Sequence, residues 1–357
     1  CRLGTNGSSF ARAAGDLLFV GGIRLSAEQF RKITEDEGRR AMRWSREEQL
    51  LFDFDGPKES AWAEALPRDD PRRRVLEVSD PLRGRVLRAY ASMDGVQTPT
   101  VTDAEKRLRR SRAQDRRRSL RRRGRKLRSL PSRRVGTDQR WKEMKIVTFY
   151  NQGSSWRQVA GTVSDHRVAG RLLAREAAKV GRGSVDQIVA PVDGAAYIRR
   201  QIEGHLPRRT ALVLDFYHLG EHVHEARRRV FGEDDPAGSA WAEDQLQTLR
   251  HEPPEVGWRK MMEWRGSLRS RANRKAAGDL LGYVGERREM LRYAECDEHG
   301  WDVGSGPIES MCKQLTHRLK GPGMRWDRQN IQAITALECL YQSGQDAAYW
   351  KCQMQNN

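Results

Sequence analysis

The chain has 357 residues, with 66 Lys+Arg against 48 Asp+Glu and a formal charge of +18. No run approaches the roughly 18 apolar residues of a membrane span, and five Cys without C-x-x-C spacing argue against a disulfide framework or structural zinc and for a reducing cytoplasm. The excess is local: Lys106–Arg134 holds 16 Lys/Arg and one acid, whereas the other 328 residues carry 50 basic and 47 acidic side chains, so one segment names a polyanionic partner.

Residues 1–85 read as a helical N-terminal segment. Ser26 and Gln29 have capping-box spacing, with Leu25 placed as a staple, and the helix runs through Phe30, Ile33 and Gly38 toward Trp44. A second polar helix is expected over Arg46–Phe52, and Pro67–Pro81 has the composition of a linker. The segment is read either as a DNA or protomer contact or as a solvated helical appendage. The start at Cys1 rather than Met points to an N-terminally truncated piece.

From Val86 apolar and polar residues alternate, which predicts a strand ending at Asp94-Gly95. The Arg-rich stretch follows, an insertion over 104–139. Lys145–Tyr150 and Ser155–Ser164 read as two more strands joined by a turn at Asn151-Gln152-Gly153. Asp165 then caps an amphipathic helix carrying Val168, Leu172, Leu173 and Val180. A fourth strand covers Val185–Val192, a helix carries Ile198, Ile202 and Leu206, and a fifth strand covers Ala211–Leu214. This order of elements is a mixed α/β layer architecture over 86–218.

Residues 219–303 are polar and helical, with Trp241, Trp258 and Trp264 spaced through them. The last part, 304–357, opens with Gly304-Ser305-Gly306-Pro307, where Pro suits the first turn of a helix whose buried stripe is Ile308, Met311, Cys312, Leu315 and Leu319. Gly321-Pro322-Gly323 stops it, and Asp327 caps a last helix with Ile331, Ile334 and Leu337 inward.

Three places could carry chemistry. Asp94-Gly95 and Asp193-Gly194 follow strands, where α/β sheets form sites, although Asp-Gly is also a common turn signal. Glu309 lies in the first turn of its helix, off the apolar stripe; it is either a dipole-stabilised cap or a metal ligand beside the two Asp. Carboxylate oxygens of this kind suit Mg²⁺ or Mn²⁺. His218-x-x-Glu221-His222 has the form of an inverted zinc-protease motif, without an evident third ligand. The Arg-rich segment lacks interleaved aromatics, which reads as a phosphate-backbone clamp or, more blandly, a solvated disordered tail.

The ordered series SMDGV (Ser92–Val96), RWKEMKI (Arg140–Ile146), VDGAAYI (Val192–Ile198), LDFYH (Leu214–His218), GSGPIES (Gly304–Ser310) and RLKGPGMRW (Arg318–Trp326) resembles the ISKra-type insertion-sequence transposases. These are relatives of the Mutator-like and hAT-like DDE transposases, and the resemblance spans roughly residues 90 to 350. It implies a ribonuclease-H-like mixed five-stranded sheet with flanking helices and an all-helical insertion before the last catalytic helix. It also implies a catalytic, metal-holding triad of Asp94, Asp193 and Glu309, with Asp215 the alternative second Asp, and two Mg²⁺ or Mn²⁺ ions. The implied partners are DNA, as transposon ends and target, and further copies of the chain on that DNA, in a bacterial cytoplasm and on the nucleoid. The long basic insertion departs from the family's short link between its first two strands, and the family's upstream helix-turn-helix is not visible. Two rival readings are a catalytically inactive DNA-binding remnant and a zinc metalloprotease through His218, Glu221 and His222.

Overall fold

The computed structural model describes residues 1–47, 86–127, 129–131, 136–151, 157–180 and 185–355. Three helices come first, α1 (Arg2–Asn6), α2 (Phe10–Gly21) and α3 (Ala27–Glu47). α3 opens on the capping box read from the sequence: Ser26 Oγ accepts from the Gln29 N–H, and the Gln29 side chain accepts from the Ser26 N–H. Leu25 packs with buried Phe30, whereas Ile33, expected on the same face, is 49% exposed. α3 continues through Arg46, so no separate helix starts there; residues 48–52 of that expected helix and the Pro67–Pro81 linker lie outside the described residues.

These helices are not a solvated appendage. α3 lies along the helix Arg328–Gln342 (α13), with Ala41 fully buried against Leu337, Leu340 and Tyr349. Gly38 is the point of closest approach, where a Cβ would collide with the Ala333 backbone carbonyl. The Tyr349 hydroxyl donates to buried Glu37.

The strand β1 (Val86–Pro99) does not stop at Asp94-Gly95. Gln97, Thr98 and Pro99 pair with Glu143, Lys142 and Trp141 of β2 (Trp141–Asn151), and both strands are longer than their apolar alternation. Asp94 is therefore inside a strand rather than past its end. Between them the basic segment forms a helix, α4 (Asp103–Arg122), opened by a Thr102–Glu105 capping box, rather than a disordered tail. After Asn151 the expected turn lies outside the described residues, and β3 (Arg157–Thr162) pairs antiparallel with β2.

α5 (His166–Val180) begins with the Asp165 carboxylate accepting from the Val168 N–H at 2.9 Å. It crosses to β4 (Val185–Val192), and α6 (Ala196–His205) crosses to β5 (Ala211–Leu214), as parallel connections require. The sheet order is β3-β2-β1-β4-β5, antiparallel through β1 and parallel beyond it. One face, through Met93, Val147, Phe149 and Ala160, packs on Leu172 and Leu173 of α5. The other, through Met144, Ile146 and Val159, packs on the next helix of the C-terminal part, α12 (Gly306–Thr316), and on α13.

Five helices stand between β5 and α12: α7 (Phe216–Phe231), α8 (Pro236–His251), α9 (Pro254–Ser267), α10 (Arg271–Glu286) and α11 (Tyr293–His299). Trp241 and Trp264 stack within them, ring centroids 3.9 Å apart, and Leu249, Met261 and Leu280 join the sheet's core. The α12 stripe is buried as read at Ile308, Met311, Cys312 and Leu315; Leu319 is buried too, but the helix ends at Thr316, before the expected stop at Gly321-Pro322-Gly323. Asp327 precedes α13, but its carboxylate does not cap that helix; it pairs with Lys106 at 2.8 Å. α13 is not the last helix, since α14 (Asp346–Gln355) follows.

The free edge of β3 is closed by side chains of α13 and the turn after it. Ser343 Oγ accepts from the Val159 N–H, and Gln332 donates to the Gly161 carbonyl while accepting from the Val163 N–H. These bonds satisfy groups that would otherwise offer a template for another strand. Among the described residues no helix is long and apolar enough to cross a membrane, and none of the five Cys is in a disulfide.

Gly38→Ala tests the α3–α13 seam. Better helix propensity would contribute about 1 kcal/mol, but the new Cβ meets a helix carbonyl that cannot swing away, an overpacking cost of about 1–3 kcal/mol. The expected result is a net loss of stability in a urea titration; a gain would mean that the seam is loose.

Candidate active site

β1 and β4 keep a constant offset of 99 residues from Val86–Val185 to Tyr90–Val189, and Ser92 Oγ donates to the Pro191 carbonyl at 2.7 Å in the same register. Carried two residues further, that register sets Asp94 beside Asp193. β4 and β5 keep their own constant register up to Val192–Leu214, so Asp215 continues the row. Three acids therefore lie on one line across the parallel strands.

Asp94 is largely buried. Its Oδ1 accepts from the Gly95 N–H at 2.6 Å, and its Oδ2 faces the Cys312 thiol at 3.4 Å. Burial above all, then repulsion from Asp193 and Glu143, pushes its carboxyl above the ordinary range, with the Gly95 and Cys312 bonds opposing. The Cys312 thiol is pushed up too, by burial first and then by Asp94.

Glu143 is a fourth acid that the sequence reading did not single out. Its carboxylate sits over Gly95, in the space a side chain there would fill, 2.8 Å from Lys145 Nζ and 3.5 Å from the Tyr197 hydroxyl. Burial, followed by the charges of Glu143, Asp193 and Asp94, raises the Tyr197 phenol. The signal was present in the register: a strand read from Trp141 rather than Lys145 carries Glu143 toward the acids.

Asp193 keeps one carboxylate oxygen on the Ala195 N–H at 2.8 Å. Its turn is gripped by α10, the Tyr283 hydroxyl donating to the Asp193 carbonyl at 3.3 Å and Arg287 Nε to the Gly194 carbonyl at 2.9 Å. Gly194 has φ +83, a conformation that other residues rarely adopt.

Asp215 has a different job. It is 2% exposed, and its Oδ1 caps α7 by accepting from the Tyr217 and His218 N–H groups at 2.7 and 3.0 Å. Its Oδ2 accepts from the Ser305 N–H at 2.6 Å and from the Ser305 hydroxyl. Four donors fill the carboxylate, which ties α7 to the start of α12 and leaves little lone-pair capacity for an ion.

Glu309 lies exposed in the first turn of α12, one turn before Cys312. The helix thus delivers it to the Asp94 side, and both acids act on the same thiol. The structure brings Asp94, Asp193 and Glu143 into mutual influence; among the described residues no three His, Cys, Asp or Glu side chains are assembled closely enough to hold a metal ion. The zinc-protease pattern lies at the start of α7. His218 is in the first turn of α7, its Nδ1 3.2 Å from Glu221, and His222 stacks on Tyr283 with centroids 3.7 Å apart.

No protein-family model and no curated protein matches this chain. Among solved structures it is similar to the Drosophila P element transposase strand transfer complex, at 13% identity and a TM-score of 0.22, over 93% of this chain and 84% of that one. A likeness at that level decides neither fold nor activity.

Two substitutions separate the roles of these acids. Asp94 carries a raised folded-state pKa, so its ionised form costs stability above that pKa and the cost is absent below the unfolded value. Asp94→Asn should therefore raise the melting temperature at neutral pH, by roughly 1–3 °C without divalent ions; a fall would contradict the strained-carboxylate picture. Asp215→Ala strands four donors and should cost about 3 kcal/mol or more in chemical denaturation, whereas Asp193→Ala should cost less than about 1.5 kcal/mol.

Proposed function

We propose that this chain is a DDE-type transposase, cleaving and joining DNA strands on a ribonuclease-H-like core, with Asp94, Asp193 and Glu309 as its three acids. The observation that carries the reading is the β1–β4 register, which sets two acids from distant parts of the sequence side by side. Support also comes from the strand order, three antiparallel then two parallel, which is the order the ribonuclease-H-like core requires. Asp193 is preferred to Asp215 as the second acid because the carboxylate of Asp215 is already filled.

Carboxylate donors of this kind suit a hard divalent cation, although the three acids are not gathered around one point here. Asp94 and Asp193 offer carboxylate oxygens, and a cation would relieve both the burial cost and the repulsion that disfavour ionised Asp94. Asp94, Asp193 and Glu309 would hold Mg²⁺ or Mn²⁺, two ions in the full arrangement, and bound metal stabilises charge on the attacking and leaving oxygens of a phosphoryl transfer. The chain's own part is positioning. The Cys312 thiol and the Gly95 N–H hold Asp94. α10 clamps the Asp193 turn, and Asp215 fixes the start of the helix that carries Glu309. The reaction has water cleave a phosphodiester, leaving a 3′-hydroxyl that then attacks a target phosphodiester and expels its 3′ oxygen. The basic segment supplies the attraction to DNA, and in this reading several copies assemble on the transposon ends.

Supercoiled DNA bearing the element's terminal repeats tests this with Mg²⁺ or Mn²⁺ present. Asp94→Ala, Asp193→Ala and Glu309→Ala should each lose at least about 100-fold in nicking while retaining duplex binding. Wild-type protein that binds the ends but never nicks them would leave the inactive DNA-binding reading in its place.

A further inference from the structure

The basic helix α4 has a patterned circumference. Lys106, Arg110, Ala113, Arg117 and Leu120 form a partly covered stripe, along which the chain returns: the Arg125 N–H bonds the Leu120 carbonyl and the Arg110 guanidinium bonds the Pro131 carbonyl. On the opposite side, at helical spacing, Leu108, Ser111, Asp115 and Ser119 make an exposed ridge free of Lys and Arg until Arg122 at its end. Two rows of exposed arginines flank that ridge, Arg107, Arg118 and Arg121 on one side and Arg109, Arg112 and Arg116 on the other. The helix buries no residue of its own, and its root is held by ion pairs from Arg325 to Glu105 and from Lys106 to Asp327.

We propose that α4 is a major-groove recognition helix for duplex DNA; this rests on DNA being the partner in the function proposed above. A helix lying on the backbone of a polyanion needs cations on one face alone. Here a ridge of short side chains stands between two cationic rows, as a helix between two phosphate walls requires. A helix about 10–12 Å across fits the major groove, about 12 Å wide, and not the minor groove, about 6 Å wide. The ridge then faces base edges, where Asp115 can accept from a cytosine amino group and Leu108 can meet a thymine methyl. The Arg rows bond phosphates on opposite strands and fix the register.

The test uses the full chain without divalent ions, so that binding is read apart from cleavage. Binding to a duplex should be blocked by methylation of guanine N7, a major-groove position, and withstand netropsin, a minor-groove ligand. Each row variant, Arg109/Arg112/Arg116→Ala and Arg107/Arg118/Arg121→Ala, should flatten the slope of log affinity against log salt by about 2–3. Their melting temperatures serve as the folding control, since every substituted side chain is exposed. Asp115→Ala should leave that slope unchanged and alter base preference in a duplex selection. Displacement by netropsin, indifference to N7 methylation, or one row without effect would overturn the proposal. Groove binding as described by a protein that cannot nick DNA would support the proposal while removing the catalytic reading; nicking with no sensitivity to N7 methylation would do the opposite.

Discussion

The parallel pairing of β1 with β4 is the constraint on which the rest of the site depends. Backbone hydrogen bonds fix its offset over the apolar residues, and the acids inherit their positions from it. The pairing has an electrostatic cost. It sets Asp94 inside a strand, largely buried, with Asp193 and Glu143 both raising its carboxyl. A packed sheet built only for stability would place an apolar side chain there. Such local conflict is where function is expected to lie, because the surrounding core overrides it.

The third acid of the row shows how the same geometry serves structure. Asp215 differs from Asp193 in its immediate neighbour along the chain: α7 starts at once, and its free N–H groups claim one carboxylate oxygen while Ser305 claims the other. This single side chain joins the end of β5, the first of the five intervening helices and the helix bearing Glu309. A second tie runs from Tyr283 and Arg287 of α10 to the turn holding Asp193. The intervening helices are therefore bonded to both sides of the site, and a shift in them bears on Asp193 and Glu309 together.

Much of this was legible in the sequence because it is local. β4 and β5 have the bounds that their apolar runs gave, the Ser26 and Asp165 caps form as read, and the α12 stripe is buried. What the sequence hid is pairing and packing between distant segments. Gln97, Thr98 and Pro99 do not alternate, and only their partners on β2 make them a strand. Gly38 and Ala41 carry no apolar signal, yet their smallness lets α3 sit on α13. α4 lacks an apolar face, so periodicity is silent there and the Thr102–Glu105 cap is the local sign of a helix. The Asp94–Asp193 pair was legible as two motifs, whereas the filled carboxylate of Asp215 shows only in the hydrogen bonds of Ser305.

The uneven charge of the chain then answers two separate electrostatic problems. In the proposed function a cluster of acids repels the DNA it acts on, and a basic arm could in principle offset that by proximity. Distance decides against it. Asp94 lies five strand residues before Pro99, about 16 Å from the end of β1 beyond which α4 begins, and no arginine of α4 is among the charges acting on Asp94. Screening at physiological salt acts over about 8 Å, so the arginines of the arm cannot alter the ionisation of Asp94. In the proposed function their part is to hold a duplex against the body, whose remaining residues are nearly neutral. In the proposed function the repulsion at the acids is cancelled within the site itself, by a cation held among the carboxylates, so that binding and chemistry would be separable.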